Sequence, residues 1–142
     1  DFAKVQEQSK DNPVFYVQYA HARISSVLSK AKDANIKIDV KTFKSLKHPS
    51  EITVIKKLAE WPRLLELAAK HNEPHRVAFY LYELAGDFHA LWNIGKEAPE
   101  TRFLQEDNPE LSAEKLSMVS AVQLTIAAGL TILGVAPIDE MR

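Results

Sequence analysis

Asn12-Pro13-Val14-Phe15-Tyr16-Val17-Gln18-Tyr19-Ala20-His21-Ala22-Arg23-Ile24 contains a helix start followed by the first turns of an amphipathic face. Asn12 can cap an orphan backbone amide, and Pro13 suits a first helical turn, where its missing N–H has no partner to lose. Apolar residues then return at Val17, Ala20, Ile24, Val27, Leu28 and Ala31, three or four apart, which predicts a helix over about 13–33. One apolar stripe on a long helix has to be buried against other elements.

Upstream, Asp1 to Asp11 carry no helix-start chemistry, and the chain does not begin with methionine, so it reads as a piece of something longer. Downstream, residues 33–48 lack a sustained period and should connect helices over the surface. Pro49 and Ser50 open a second helical pattern through Ile52, Ile55, Leu58 and Ala59. Pro62 must break or kink it before Leu64, Leu65, Leu67 and Ala68 continue. Glu73 and Pro74 start a third, whose buried stripe is Val77, Tyr80, Leu81, Leu84, Phe88, Leu91 and Trp92, ending at Gly95. An acidic stretch with Pro99 and Pro109 follows, and Ser112 is the expected cap of a last helix. That helix should carry Val119, Val122, Ile126, Leu130 and Leu133 in the core and stop at Gly134, leaving Val135 to Arg142 as a tail. No strand alternation and no fixed repeat compete. The expected fold is all-α, a helical bundle of about four to six helices.

The 142 residues suit one domain, 1–142, with its own core. The absence of cysteine excludes a disulfide framework and a thiolate zinc site, and allows a cytosolic address. These residues offer no signal-peptide pattern, and none is expected. The longest apolar stretch is interrupted by Ser120, Gln123, Thr125 and Thr131, which does not suit a membrane span, so a soluble protein is expected. A net charge of −1 argues against nucleic acid at first sight. The charge is segregated, however: residues 1–76 carry 14 Lys and Arg against 9 Asp and Glu, and residues 77–142 carry 4 against 10. A neutral chain can therefore present a basic face.

Tyr16, Tyr19 and Arg23 fall within about 60° of one flank of the first helix. Such a group can stack unpaired bases and meet a phosphate or base edge, as in single-stranded RNA recognition, or it can be a tyrosine rim of the core beside a solvated arginine. Phe88, His89 and Trp92 pose the same choice on the third pattern: Phe88 and Trp92 lie on its apolar stripe, while His89 joins Tyr82 and Asn93 on a second flank. His71 and His75 are four apart, but Pro74 intervenes and no third ligand has suitable spacing, so no metal is expected. His21 reads as a hydrogen-bonded structural group and His48 as exposed. With no phosphate-cradling glycine loop and no nucleophile motif, catalysis by these residues is not expected. A helical protein-interaction module remains the alternative to an RNA-binding one.

The run from Asn12 to Ile24 resembles the signature that opens the anticodon-binding (DALR) domain of class I arginyl-tRNA synthetases. The run Gly129-Leu130-Thr131-Ile132-Leu133-Gly134-Val135, with Met141 after it, is similar to that family's closing pattern. Tyr82-Glu83-Leu84-Ala85-Gly86-Asp87-Phe88-His89 fits its middle, with Trp92 where tyrosine is more usual. The resemblance spans nearly the whole chain. It implies the RNA-holding part of arginine-tRNA ligase, a translation enzyme of the cytoplasm whose ATP-dependent chemistry belongs to a Rossmann-type domain with HIGH-type and KMSKS-type motifs, neither of which occurs here. It further implies arginine-specific tRNA as partner, no cofactor among these residues, no membrane, and a monomeric parent. Tyr16, Tyr19 and Arg23 match positions that meet the anticodon loop; Phe88, His89, Trp92 and Met141 match positions near the same pocket. The resemblance also gives Gln18 and Gln123 a structural role as polar groups that need partners.

Overall fold

The computed structural model describes residues 12–38, 40 and 42–141, and the expectations for residues 1–11 and for Arg142 lie outside them. Among the described residues there are five α-helices and one short 3-10 turn, Pro99–Thr101. Helix α1 (Pro13–Asp33) starts as its sequence predicts: Asn12 accepts a hydrogen bond from the Val14 amide at 3.0 Å. Lys30 and Lys32 occupy its last turn, where the helix dipole favours cations.

The link that follows is held down by side chains distant in sequence. Ser117 donates to the Ile38 carbonyl at 3.0 Å, and the Glu114 carboxylate accepts from the Lys44 and Ser45 amides. His48, expected to be exposed, is half-buried because it caps α2 (Pro49–Ala59). Its Nδ1 accepts from the Ser50 amide at 3.1 Å while Glu51 accepts from the His48 amide at 3.2 Å, a capping box with histidine in the usual serine position. Pro62 breaks the second pattern as expected, and α3 (Trp61–Lys70) begins after a single intervening residue, Glu60.

Helix α4 (His75–Ile94) ends at Gly95 without a positive φ. Space is tight there instead: a Cβ would lie 3.3 Å from Arg102 Cγ and 3.2 Å from the Trp92 carbonyl, so a neighbour would have to give by a few tenths of an ångström. Helix α5 (Pro109–Ile132) starts earlier than predicted. Asn108-Pro109 repeats the cap-and-proline pair that opens α1, with Asn108 accepting from the Leu111 amide at 3.2 Å. Ser112 is not the cap; it is buried, and its hydroxyl accepts from the Gln105 amide and donates to the Gln105 carbonyl, both at 2.7 Å. At the far end Gly134 takes φ 75°, and the Val135 amide reaches back to the Leu130 carbonyl at 2.8 Å, closing a Schellman motif.

Helices α4 and α5 form the centre, with α1 packed along both and α2 and α3 against α4. Ile24, Leu84, Phe88, Leu116 and Ile126 are fully buried between them. Each such side chain contributes roughly 1.5–3 kcal/mol by leaving water. Gly129 lets α5 approach α4 closely, since a Cβ would stand 2.6 Å from Leu81 Cδ1. At 24 residues α5 is long and apolar enough to cross a membrane, but Val119, Val122, Ile126 and Leu130 are buried inside the bundle. Between α2 and α5 lies a buried ion pair, Lys115 Nζ to Glu51 Oε2 at 2.6 Å, each side chain only 2% exposed.

Candidate nucleic-acid interface

Helices α1 and α4 run side by side in the same direction. Tyr16 meets Tyr82 and, one to two turns further along both helices, Arg23 meets His89. The tandem spacing that placed Tyr16, Tyr19 and Arg23 on one flank of α1 therefore faces the flank of α4 that carries His89 and Asn93. Between them opens a cleft of about 390 Å³ whose walls are Phe15, Tyr16, Tyr19, Arg23, His89, Asn93 and Lys96.

Rings fill its sides. The His89 imidazole lies 4.6 Å from the Tyr16 ring and 5.3 Å from that of Tyr19, and Phe15 stacks on Tyr19 at 6.3 Å. The Arg23 guanidinium sits 4.4 Å from the Tyr19 ring centroid and 4.8 Å from that of Trp92, close enough for cation–π attraction to both. Arg23 Nη1 also stands 3.1 Å from His89 Nδ1. A guanidinium only donates, so Nδ1 accepts and carries no proton. His89 Nε2, 3.2 Å from the Tyr16 carbonyl, is then the N–H donor. One neutral imidazole thus ties α4 to the α1 backbone and aims Arg23 along the cleft.

Arg23 and Lys96 form no ion pair with a carboxylate among the described residues. Among the described residues, their charges are met by rings, a histidine nitrogen or solvent, not by a carboxylate. Burial raises the pKa of the Tyr16 hydroxyl, Tyr82 adds to the shift, and nearby Arg23 only partly opposes it. Tyr16 therefore keeps its phenolic proton at neutral pH and can donate to a ligand.

The structure brings Tyr16, Tyr19, Arg23 and His89 together, with Trp92 behind Arg23. Phe88 does not join them. It is fully buried and stacks on Phe103 at 5.8 Å, so it supports the wall from the core and has no surface to offer a ligand. Apolar periodicity already placed it on the buried stripe. Met141 is half-buried at the end of the tail and is not part of the cleft wall. The tail docks along α1 through Gln18 Nε2 to the Ala136 carbonyl at 3.1 Å and His21 Nδ1 to the Ile138 carbonyl at 2.7 Å, so His21 is structural. Gln123 donates to the His21 carbonyl at 3.2 Å and to the Ser25 hydroxyl at 2.6 Å, which supplies the partners both glutamines need. Among the described residues no three metal-type ligands converge, and His75 lies 3.5 Å from the Glu73 carboxylate. Phe15 and Lys96 were missed by sequence reasoning. Helical spacing held the signal, since Phe15 is four residues before Tyr19 and Lys96 four after Trp92.

Comparison with known proteins points the same way. Residues 17–141 match the model of the DALR anticodon binding domain. The chain is 57% identical to an arginine–tRNA ligase of Roseobacter denitrificans, over all of this chain and 25% of that protein. It is 53% identical to an arginine–tRNA ligase of Rhizobium etli with the same coverage. Among solved structures, a Campylobacter jejuni protein described as an arginyl-tRNA synthetase shares the fold at TM-score 0.79 and 24% identity, over 99% of this chain and 29% of that one. Thermus thermophilus arginyl-tRNA synthetase aligns at TM-score 0.65 and 28% identity, over 96% of this chain and 22% of that one. The chain thus spans about a quarter of the length of the curated relatives it matches.

Proposed function

The chain belongs to the DALR anticodon binding domain family, and from that premise we propose that the cleft between α1 and α4 holds the unpaired anticodon bases of an arginine tRNA for an arginine–tRNA ligase. The observation that carries this reading is Arg23, packed on Tyr19 and Trp92, held by a neutral histidine, and given no carboxylate partner among the described residues. A cation prepared this way suits a phosphate or the acceptor edge of a base, while Tyr16 and Tyr19 supply rings on which splayed bases stack. Asn93 adds amide donor and acceptor groups at the same wall, and Lys96 adds a second cation for the backbone.

Binding energy, not chemistry, is the domain's contribution. Stacking and edge contacts made only with the correct loop hold that tRNA longer, which is selection by differential affinity. ATP, arginine and the ligation itself fall to the parts of the parent enzyme beyond these residues, and we place that parent in the cytoplasm as a monomer, with no metal held by this domain. A helical protein-interaction module accounts for neither the family match nor an arginine mounted on rings at the rim of a cleft.

The test is a titration of the complete protein with arginine tRNA and with the same tRNA carrying an altered anticodon loop. Tighter binding of the unaltered tRNA supports the reading. Equal affinity, lost in parallel as salt rises, reduces the cleft to non-specific phosphate attraction and removes the assignment.

A further inference from the structure

A second cavity continues the groove one to two turns further along both helices. Val27 and Lys30 follow Arg23 on α1, Trp92 follows His89 on α4, and Lys96 lies in the turn just past the end of α4. The cavity holds about 330 Å³ and its wall is largely apolar: Val27, Leu91, Trp92, Phe103 and Leu104. Cations rim it. Lys30, Lys96 and Arg102 all line its mouth, and none of them is ion-paired with a carboxylate among the described residues. Arg102 is held in place because its Nε donates to the Gly95 carbonyl at 2.7 Å, an approach that a side chain at position 95 would crowd.

Two residues join this cavity to the aromatic cleft. Lys96 lines both. The Trp92 indole forms part of the second wall while its ring carries Arg23, itself a wall of the first. Along α1 the step from Arg23 to Lys30 is seven residues, about 10 Å of helix rise. A mainly apolar cavity with exposed cations among its lining residues, next to a cleft for stacked bases, matches the amphiphilic character of a nucleotide: an uncharged ring to bury and a phosphate to leave at the rim.

We propose that this second cavity, bounded by Val27, Trp92, Phe103 and Leu104, takes a further unpaired base of the same RNA loop, with its phosphate set between Lys96 and Lys30. The inference rests on the reading of the first cleft as an RNA site and extends it. The two sites read different nucleotides, with Trp92 as the partition and Lys96 as the phosphate clamp between them.

The experiment uses the complete protein and a set of anticodon stem-loop RNAs in which each loop nucleotide in turn is made abasic. Wild type, Tyr19→Ala, Leu104→Glu and Lys30→Ala are titrated with each RNA, and circular dichroism checks folding. In wild type two separate loop positions should each lose about 5- to 150-fold in affinity when made abasic, the range that one stacked base supplies. Leu104→Glu should abolish the penalty at one position only, and Tyr19→Ala at the other only. Lys30→Ala, which removes an exposed side chain and keeps the fold, should weaken every RNA and lower the salt slope by about one phosphate contact. If Leu104→Glu and Lys30→Ala both keep the wild-type pattern while Tyr19→Ala loses its position, the second cavity is unused and the first cleft stands. If the wild-type protein binds all the RNAs alike, the first reading fails and this one with it.

Discussion

Two cations, one between α2 and α5 and one in the α1/α4 cleft, show how differently one fold can treat positive charge. Lys115 is buried against Glu51, 2.6 Å away, and the other carboxylate oxygen of Glu51 accepts from the His48 amide. Arg23 lies at the rim of the α1/α4 cleft on two aromatic rings, steadied by a neutral imidazole. The lysine's charge is spent internally, and burying it without Glu51 would be costly. The arginine's charge is oriented, and no carboxylate among the described residues pairs with it. A structural cation and a recognition cation are distinguished here by what opposes them: a carboxylate in one case, rings and a lone pair in the other.

The comparison breaks first under Lys115→Met. Glu51 would be left buried without its partner, and denaturant unfolding should show a loss of about 3–5 kcal/mol. Arg23→Met should leave the denaturation midpoint nearly unchanged while it removes RNA binding; a large loss of stability would make Arg23 structural and erase the contrast. Tyr19→Ala comes next, with a cost of about 1–3 kcal/mol in RNA affinity from the lost stacking surface and a native circular dichroism spectrum.

Two acids with opposite shifts sharpen the contrast at the level of pH. Burial pushes the Glu114 carboxyl upward, but the Ser45 and Lys44 amides that donate to it outweigh burial and leave its pKa below the ordinary value of 4.5. A carboxyl depressed by folding stabilises above its unfolded pKa, and that contribution disappears as pH falls through the folded one. Glu114→Gln should therefore lower stability at pH 7 and flatten the acid limb of the stability profile below about pH 4.5. Asp87 behaves oppositely. Burial raises its pKa, Lys57 partly opposes this, and Glu83 and Glu60 add to it. Its ionised form is disfavoured in the folded state, so Asp87→Asn should raise the melting temperature slightly at pH 7, and a lower value would contradict the assignment.

The aromatic flank was legible in the sequence because it is local: Tyr16, Tyr19 and Arg23 lie within two turns of one helix, and a period of 3.6 residues determines which side they share. The break at Pro62 and the stop at Gly134 were legible for the same reason. What escaped was either a competing local signal or a contact across the chain. Ser112 looked like a cap, but Asn108-Pro109 four residues earlier supplied a stronger one. His48 appeared exposed because histidine is an uncommon cap. The Glu51–Lys115 pair joins residues 64 positions apart, and no periodicity within α2 or α5 announces it. Phe88 satisfied two patterns at once, the apolar stripe and the family motif, and the stripe determined where its side chain went.

The central claim is that RNA enters between α1 and α4, and Trp92 can report on it directly. In a Trp61→Phe background the only remaining indole is at the wall that carries Arg23. Titration of the complete protein with an arginine anticodon stem-loop should change Trp92 emission in step with binding measured independently by anisotropy of the labelled RNA. Saturable binding with no change in Trp92 emission would place the RNA elsewhere on the surface and contradict the account.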